Sequence, residues 1–450
     1  MSTAGDIVLR GGTVVAMDPA RTVAPLDVRL SGGRIAAIGA ALPSDGATVV
    51  DVRGLHVLPG FVQGHTHLGQ ALLRGLAEGR DLLRWLRERV WPLEAAHDDE
   101  SAYCSGMLGA VDCLSSGTTT IQDIGIVTHM DAIFRAIADS GLRAIAGKCL
   151  MDEGHGVPPG LAQPTAVALD EVRAQHATWH GAADGRISLL LCPRFILSCS
   201  AALWRGVVTL AHELALPVHT HLLEHPNEEP EVVALLGKGQ LELLDELGVL
   251  DTRLSIAHGV QFDARHAERL AGRGLGIVHC PSANLKLGSG IADLGYLASV
   301  PGVRLGIGCD GAPCNNDMDV LEEMRLAALL QGIKAGPGRF ASERALALGT
   351  IDGARAIGLE HEVGSLEVGK RADVVVLDLD RPGSFGGTQV SVYDRIIYGT
   401  ARDAVVHVFV DGVPRVQHGA LIGLALPELL ARARRACDAL VQRAGLAGVA

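Results

Sequence analysis

The sequence predicts a (β/α)8 TIM barrel with a small β-sandwich domain built from both chain ends. Three observations carry this expectation. Eight short apolar runs alternate with helix-like segments through the middle of the chain. Strand-like runs punctuated by glycine turns lie at both ends. A set of histidines and acids follows the apolar runs: His65-Thr66-His67, His221 with Glu224, His258 and Asp310. Barrels of this class place their chemistry at the C-terminal ends of the strands.

The N-terminal runs are 7–9, 13–16, 28–30, 35–38 and 49–52, broken by Gly11-Gly12 and Gly32-Gly33. The same texture returns at 372–377 and 404–410, closed by Asp411-Gly412. Each set alone is too short for a stable two-layer sheet, so the two are expected to combine. The expected organisation is residues 1–56 as the first part of the sandwich, 57–363 as the barrel and 364–450 as the rest of the sandwich. An Ala/Leu/Arg-rich closing helix is expected over 427–444. Barrel strands are expected at 57–63, 118–123, 143–151, 187–195, 216–223, 254–260, 275–280 and 303–309. Helices are expected at 82–90, 99–114, 131–139, 166–180, 202–214, 229–247, 264–273 and 317–331.

Composition excludes several function classes. Of 450 residues 48% are hydrophobic and 20% charged, which is ample for a large core. The 51 acidic against 39 basic residues give a net charge of −12, which argues against binding long nucleic acid. Nine cysteines show no CxxC pair and an odd count, pointing to a reducing compartment. The start, Met1 to Asp6, has neither the basic nor the apolar region of a signal peptide. No apolar run reaches the ~20 residues needed to span a bilayer. The expectation is a cytoplasmic protein with no membrane or nucleic-acid partner.

His65 and His67 stand two apart on one strand, so both imidazoles can face one ion. Neutral imidazole suits zinc, and a catalytic zinc keeps one position open. An isolated HxH is a weak signal, because it also occurs on ordinary strands. On the fifth run, His221 is assigned to the metal and Glu224 to proton transfer, while His219 is read as a packing or supporting residue. His258 alone would read as a structural histidine, and Asp310-Gly311 alone as a turn. Their coincidence at four strand ends favours a metal site.

These residues resemble a known group. The run Pro59-Gly60-Phe61-Val62-Gln63-Gly64-His65-Thr66-His67, with His221-Leu222-Leu223-Glu224, His258 and Asp310, is similar to the amidohydrolase superfamily. The run His279 to Leu287, the segment Asp310 to Asn316 and the stretch Gly364 to Asp373 narrow the likeness to its aromatic deaminase branch. That branch holds S-adenosylhomocysteine/methylthioadenosine deaminases, guanine deaminases and s-triazine hydrolases. The resemblance implies one Zn2+, with Fe2+ or Mn2+ as alternatives, held by His65, His67, His221 and Asp310. It implies a small heterocyclic substrate and a homo-oligomer. Two-metal relatives carry a bridging lysine on the fourth strand; here Leu189 to Arg194 has none, and Lys148 lies on the third, so one metal is expected. In the implied reaction Glu224 protonates a ring nitrogen, Asp310 takes the proton of water and passes one to the departing amine, and His258 orients the nucleophile.

The substrate residues divide. Trp85 offers a face to a flat ring, and Glu94 an acceptor for hydroxyls such as a ribose pair. Gln70 and Arg194 resemble guanine deaminases, whereas Asp310 to Asn316 resembles adenosine-type enzymes. Cys314, where a Ser is common in the adenosine type, is read as small-residue packing. The favoured function is hydrolytic deamination of an adenosine-type substrate (adenosine, methylthioadenosine or S-adenosylhomocysteine). Guanine or another oxo-purine comes next, then an s-triazine such as melamine or a chlorotriazine. A non-catalytic ligand-binding relative is the alternative of a different class.

Overall fold

A computed structural model of the chain describes residues 5–270 and 272–448. Both chain ends meet in one nine-stranded sheet. Ile7–Val15 pairs antiparallel with Val23–Ser31, which pairs with Arg34–Gly39. Thr48–Asp51 and His56–Pro59 run parallel to Ile7–Val15. The C-terminal part joins through Val374–Leu377, antiparallel to both His56–Pro59 and Val405–Val410. This short strand is wholly buried and reads Val-Val-Val-Leu, as a strand covered on both faces should. Leu9, Val14, Val28, Leu30, Val57, Val374, Val376 and Phe409 pack together as the sandwich core.

The barrel strands are Phe61–His67, Thr118–Ile124, Arg143–Gly147, Ile187–Leu189, Val218–Leu222, Leu254–His258, Leu275–His279 and Val303–Ile307. Every observed pairing between consecutive strands is parallel. A single bridge, Leu191 to Val218, links the fourth strand to the fifth. The ring closes where Asp310–Gly311, just past the eighth strand, pairs with Thr66 and His67 of the first. Close approach there requires glycine: a Cβ at Gly308 would lie 2.6 Å from the carbonyl oxygen of His65.

Three expectations need correction. The strand expected at 57–63 is two strands: His56–Pro59 in the sandwich sheet and Phe61–His67 in the barrel. The crossing is at Gly60, whose N–H donates to the Asp373 carbonyl and where a Cβ would lie 2.2 Å from Thr119 Oγ1. The helix expected at 229–247 is Glu228–Leu236 and Gln240–Glu246, because Gly237 takes a left-handed conformation that ends the first. The helix expected at 82–90 is one α turn, a π turn at Leu86–Val90 and a further α turn, Trp91–Ala95. The closing helix is Leu426–Arg443. Among the described residues, no helix is long and apolar enough to cross a membrane.

Candidate metal centre and active-site cleft

His65 and His67 project from the end of the first barrel strand, His221 from the fifth, and Asp310 stands beside Thr66 through the closing bridge. One ligand atom from each of these four residues lies within 4.8 Å of the others. The same holds for Glu224, His258 and Asp310. The four residues expected to share an ion are therefore brought together, with the acid/base candidates alongside. His258 and Asp310 adopt φ of 76° and 62°, left-handed values that few non-glycine residues take.

The hydrogen bonds fix the imidazole tautomers. His67 Nδ1 lies 2.7 Å from the carbonyl of Ile124, and His221 Nδ1 lies 2.7 Å from that of Arg194. A carbonyl only accepts, so both Nδ1 atoms carry the proton and both Nε2 atoms carry lone pairs. His219 Nδ1 likewise faces the Ser255 carbonyl at 3.2 Å and its hydroxyl at 2.8 Å. His219 Nε2 therefore accepts from His65 Nδ1 at 2.8 Å, leaving the His65 Nε2 lone pair free. Burial pushes the pKa values of His65, His219 and His221 down, which keeps these rings neutral.

A cation fits this donor set. The Nε2 atoms of His67 and His221, both acceptors, stand 3.1 Å apart. Asp310 Oδ1 lies 3.3 Å from the Nε2 atoms of both His65 and His67. His65 Nε2 is buried with no hydrogen-bond partner. Lone pairs crowded this way repel unless a positive charge lies among them. Three imidazoles and a carboxylate match the ligand preferences of zinc, and the outer Nδ1–H bonds are the support such ligands ordinarily have. Lys148 does not take part, since its ammonium pairs with Glu171 at 2.8 Å and with the Val127 carbonyl.

Glu224 lies beyond His221 at the start of the loop, 3% exposed, with Oε2 3.4 Å from His258 Nε2. Burial, then the nearby carboxylates of Glu228 and Asp310, raise its pKa well above the usual range. Glu228 accepts the backbone N–H groups of Glu224 and His225, both at 2.8 Å. It was not singled out from the sequence; it opens the helix Glu228–Leu236 that follows the Glu224 loop. Cys314 is also more than packing, because its thiol donates to Asp310 Oδ2 at 3.1 Å.

A cleft opens beside these groups, lined by Gln70, Leu82, Trp85, Leu86, Arg194 and Phe195 together with His67, His221, Glu224, Glu228 and Asp310. Trp85, Gln70 and Arg194 thus stand where substrate would. Glu94 does not line the cleft. Its carboxylate is clamped by Arg194 Nη1 at 2.6 Å and by Gln70 Nε2 at 2.7 Å. Burial raises the Glu94 pKa, but the guanidinium outweighs it and holds the carboxyl below its ordinary value. The expected role of Glu94 as a hydroxyl acceptor meets a physical obstacle: its charge already balances a buried arginine.

The model of the amidohydrolase family matches residues 56–415. The chain belongs to this family. It is 34% identical over 386 residues to a 5-methylthioadenosine/S-adenosylhomocysteine deaminase of Moorella thermoacetica, covering 86% of this chain and 87% of that protein. It is 34% identical over 413 residues to a 5'-deoxyadenosine deaminase of Methanobrevibacter smithii, covering 91% and 93%. Among solved structures, an adenosine deaminase from Xanthomonas campestris with bound zinc superposes with a TM-score of 0.89 at 30% identity, covering 97% of this chain and 99% of that one.

Proposed function

We propose that this amidohydrolase is a hydrolytic deaminase of an amino-substituted purine-like heterocycle, with an adenosine-type nucleoside as its substrate. The observation that carries the reading is a buried Glu224 beside three imidazole lone pairs and the Asp310 carboxylate, at the end of an aromatic-walled cleft. The adenosine-type choice is supported by the relatives, whose names place them among adenosine-type deaminases.

His65, His67, His221 and Asp310 would hold one zinc ion. Zinc, when bound, lowers the pKa of water from ~15.7 towards ~7 and so supplies a nucleophile at neutral pH. The protein's own groups do the rest. Trp85, Leu86 and Phe195 hold the flat ring and exclude water. Glu224 delivers its proton to the ring nitrogen next to the attacked carbon, where charge accumulates. Asp310 accepts one proton of the incoming water and returns it to the departing amine, and the hydroxyl proton left on the attacked carbon restores Glu224 as the carbonyl forms. His258 orients the nucleophile through its Nε2. Gln70 and Arg194 read the polar edge of the ring.

Because Gln70 and Arg194 line the cleft, an oxo-purine such as guanine is the second reading. The experiment that separates the readings is an ammonia-release screen of zinc-loaded protein against adenosines, guanine, pterins and s-triazines. Turnover of adenosines is expected. Release from guanine with adenosines inert would replace the substrate and leave the proton-transfer roles intact. A catalytically silent protein that still retained one zinc per chain would point to a binding role instead.

A further inference from the structure

We propose that Asn284 is a positioning residue that sets the tautomer of His258, so that this one imidazole presents an N–H to the centre where the other three present lone pairs. Asn284 is fully buried on the short helix Pro281–Lys286. Its amide Nδ2 lies 2.9 Å from His258 Nδ1. Among the described residues no other side chain holds this ring by Nδ1, whereas carbonyls hold His67 and His221.

The orientation of the amide follows from the other side of the ring. His258 Nε2 is buried, and the groups gathered around it are carboxylates. Glu224 Oε2 is 3.4 Å away, and an oxygen of Asp310 lies within 4.8 Å. The Asp310 carboxylate on the Nε2 side only accepts, so the ring's hydrogen belongs at Nε2, and Nδ1 carries a lone pair and needs a donor. The NH2 of Asn284 is that donor. The opposite orientation, with Oδ1 towards Nδ1, would turn the Nε2 lone pair onto the Asp310 carboxylate. Four imidazoles of similar burial are thereby sorted into two chemical kinds by what stands behind them. Carbonyls and His219 make three acceptors towards the centre, and one amide makes a donor. His258 is thus fitted to hold a nucleophilic oxygen by hydrogen bond and unfitted to ligate the metal.

The role depends on the deaminase reading, but its first test does not. Protein labelled with 15N-histidine is examined, zinc-loaded, by long-range 1H–15N correlation, the His258 ring being assigned by its loss in His258→Gln. A protonated Nε2 and a bare Nδ1 are expected. In Asn284→Asp the carboxylate only accepts, so Nδ1 should gain a hydrogen, while zinc remains at the wild-type ratio. On whichever heterocycle releases ammonia, Asn284→Asp should lower kcat about 100-fold and Asn284→Ala about 10-fold, with KM unchanged in both. A protonated Nδ1 in the wild type, or an aspartate variant with an unaltered ring, overturns the proposal. So does an alanine variant that is the worse of the two, since that pattern marks lost packing. Should no heterocycle release ammonia, the deaminase reading fails while the NMR result still decides the tautomer.

Discussion

Glu224 and Glu228 set two carboxyl groups in one buried pocket, and their mutual repulsion has a kinetic consequence. A proton donor must hold its proton, and burial with the neighbouring Glu228 shifts Glu224 in that direction. Glu224→Gln should keep stoichiometric zinc and lose about 10²–10⁴-fold in turnover, measured by metal analysis beside steady-state rates; normal turnover would remove Glu224 from the chemistry. The sign of the pH effect follows. Because the active form is protonated, activity is full below the Glu224 pKa and is lost as pH rises through it. Glu228→Gln removes a neighbouring negative charge, so the alkaline limb of kcat/KM should move to lower pH; a limb that stayed in place or moved upward would contradict this. Much of the centre is legible at this scale, since the i,i+2 spacing of His65 and His67 puts both on one strand face. The same rule places His219 beside His221, yet His219 sits one layer deeper and meets Ser255 and His65 instead of the ion site. Alternation gives the face of a side chain but not its depth in a barrel whose interior is filled in layers.

Strands and long helices follow from sequence periodicity because each must bury one apolar face. The segments that escape are those whose shape depends on a distant partner. Pro281–Lys286 and Ala312–Asn315 are too short to show a period. They are held by Glu323, which arrives from the helix Val320–Lys334. Its carboxylate accepts the Ser282 N–H at 3.0 Å and the Asn315 amide at 2.6 Å. This clamp supports both the Asn284 helix and the loop after Asp310. Burial raises the Glu323 pKa from 4.5 to about 8. Between those values the folded protein binds the proton more tightly than the unfolded chain, so this group's share of stability is full below 4.5 and is lost as pH rises through about 8. Glutamine cannot titrate. Thermal melting of Glu323→Gln should therefore decline less steeply across that interval than the wild type; parallel declines would show that this carboxyl does not control the effect.

The barrel and the sandwich are joined by charge as well as by apolar contact. Arg143, on the third barrel strand, donates to Asp373 through Nε at 2.8 Å and Nη2 at 3.0 Å, and also reaches Asp411. Asp373 lies directly before the strand Val374–Leu377 that ties the two chain ends together, and it also accepts the Asp411 backbone N–H at 2.9 Å. Its side chain is 1% exposed and that of Arg143 6%. The net value of such a buried pair against an apolar replacement is small, but removing one partner strands the other charge away from water and costs about 3–5 kcal/mol. Sequence could not reveal the pair, because its members are separated by 230 residues and only the fold brings them together. Arg143→Met should therefore lower the urea midpoint by an amount equivalent to about 3–5 kcal/mol. Arg381→Met breaks a pair with Asp403 whose side chains are 36% and 76% exposed, and should cost no more than about 1 kcal/mol. The site gives a second readout. Its ring closes only where Asp310 pairs with Thr66, so a junction that loosens the barrel should also weaken zinc retention in Arg143→Met and leave it intact in Arg381→Met. Equal destabilisation by the two variants would mean that the Arg143 cluster is not what couples the sandwich to the barrel.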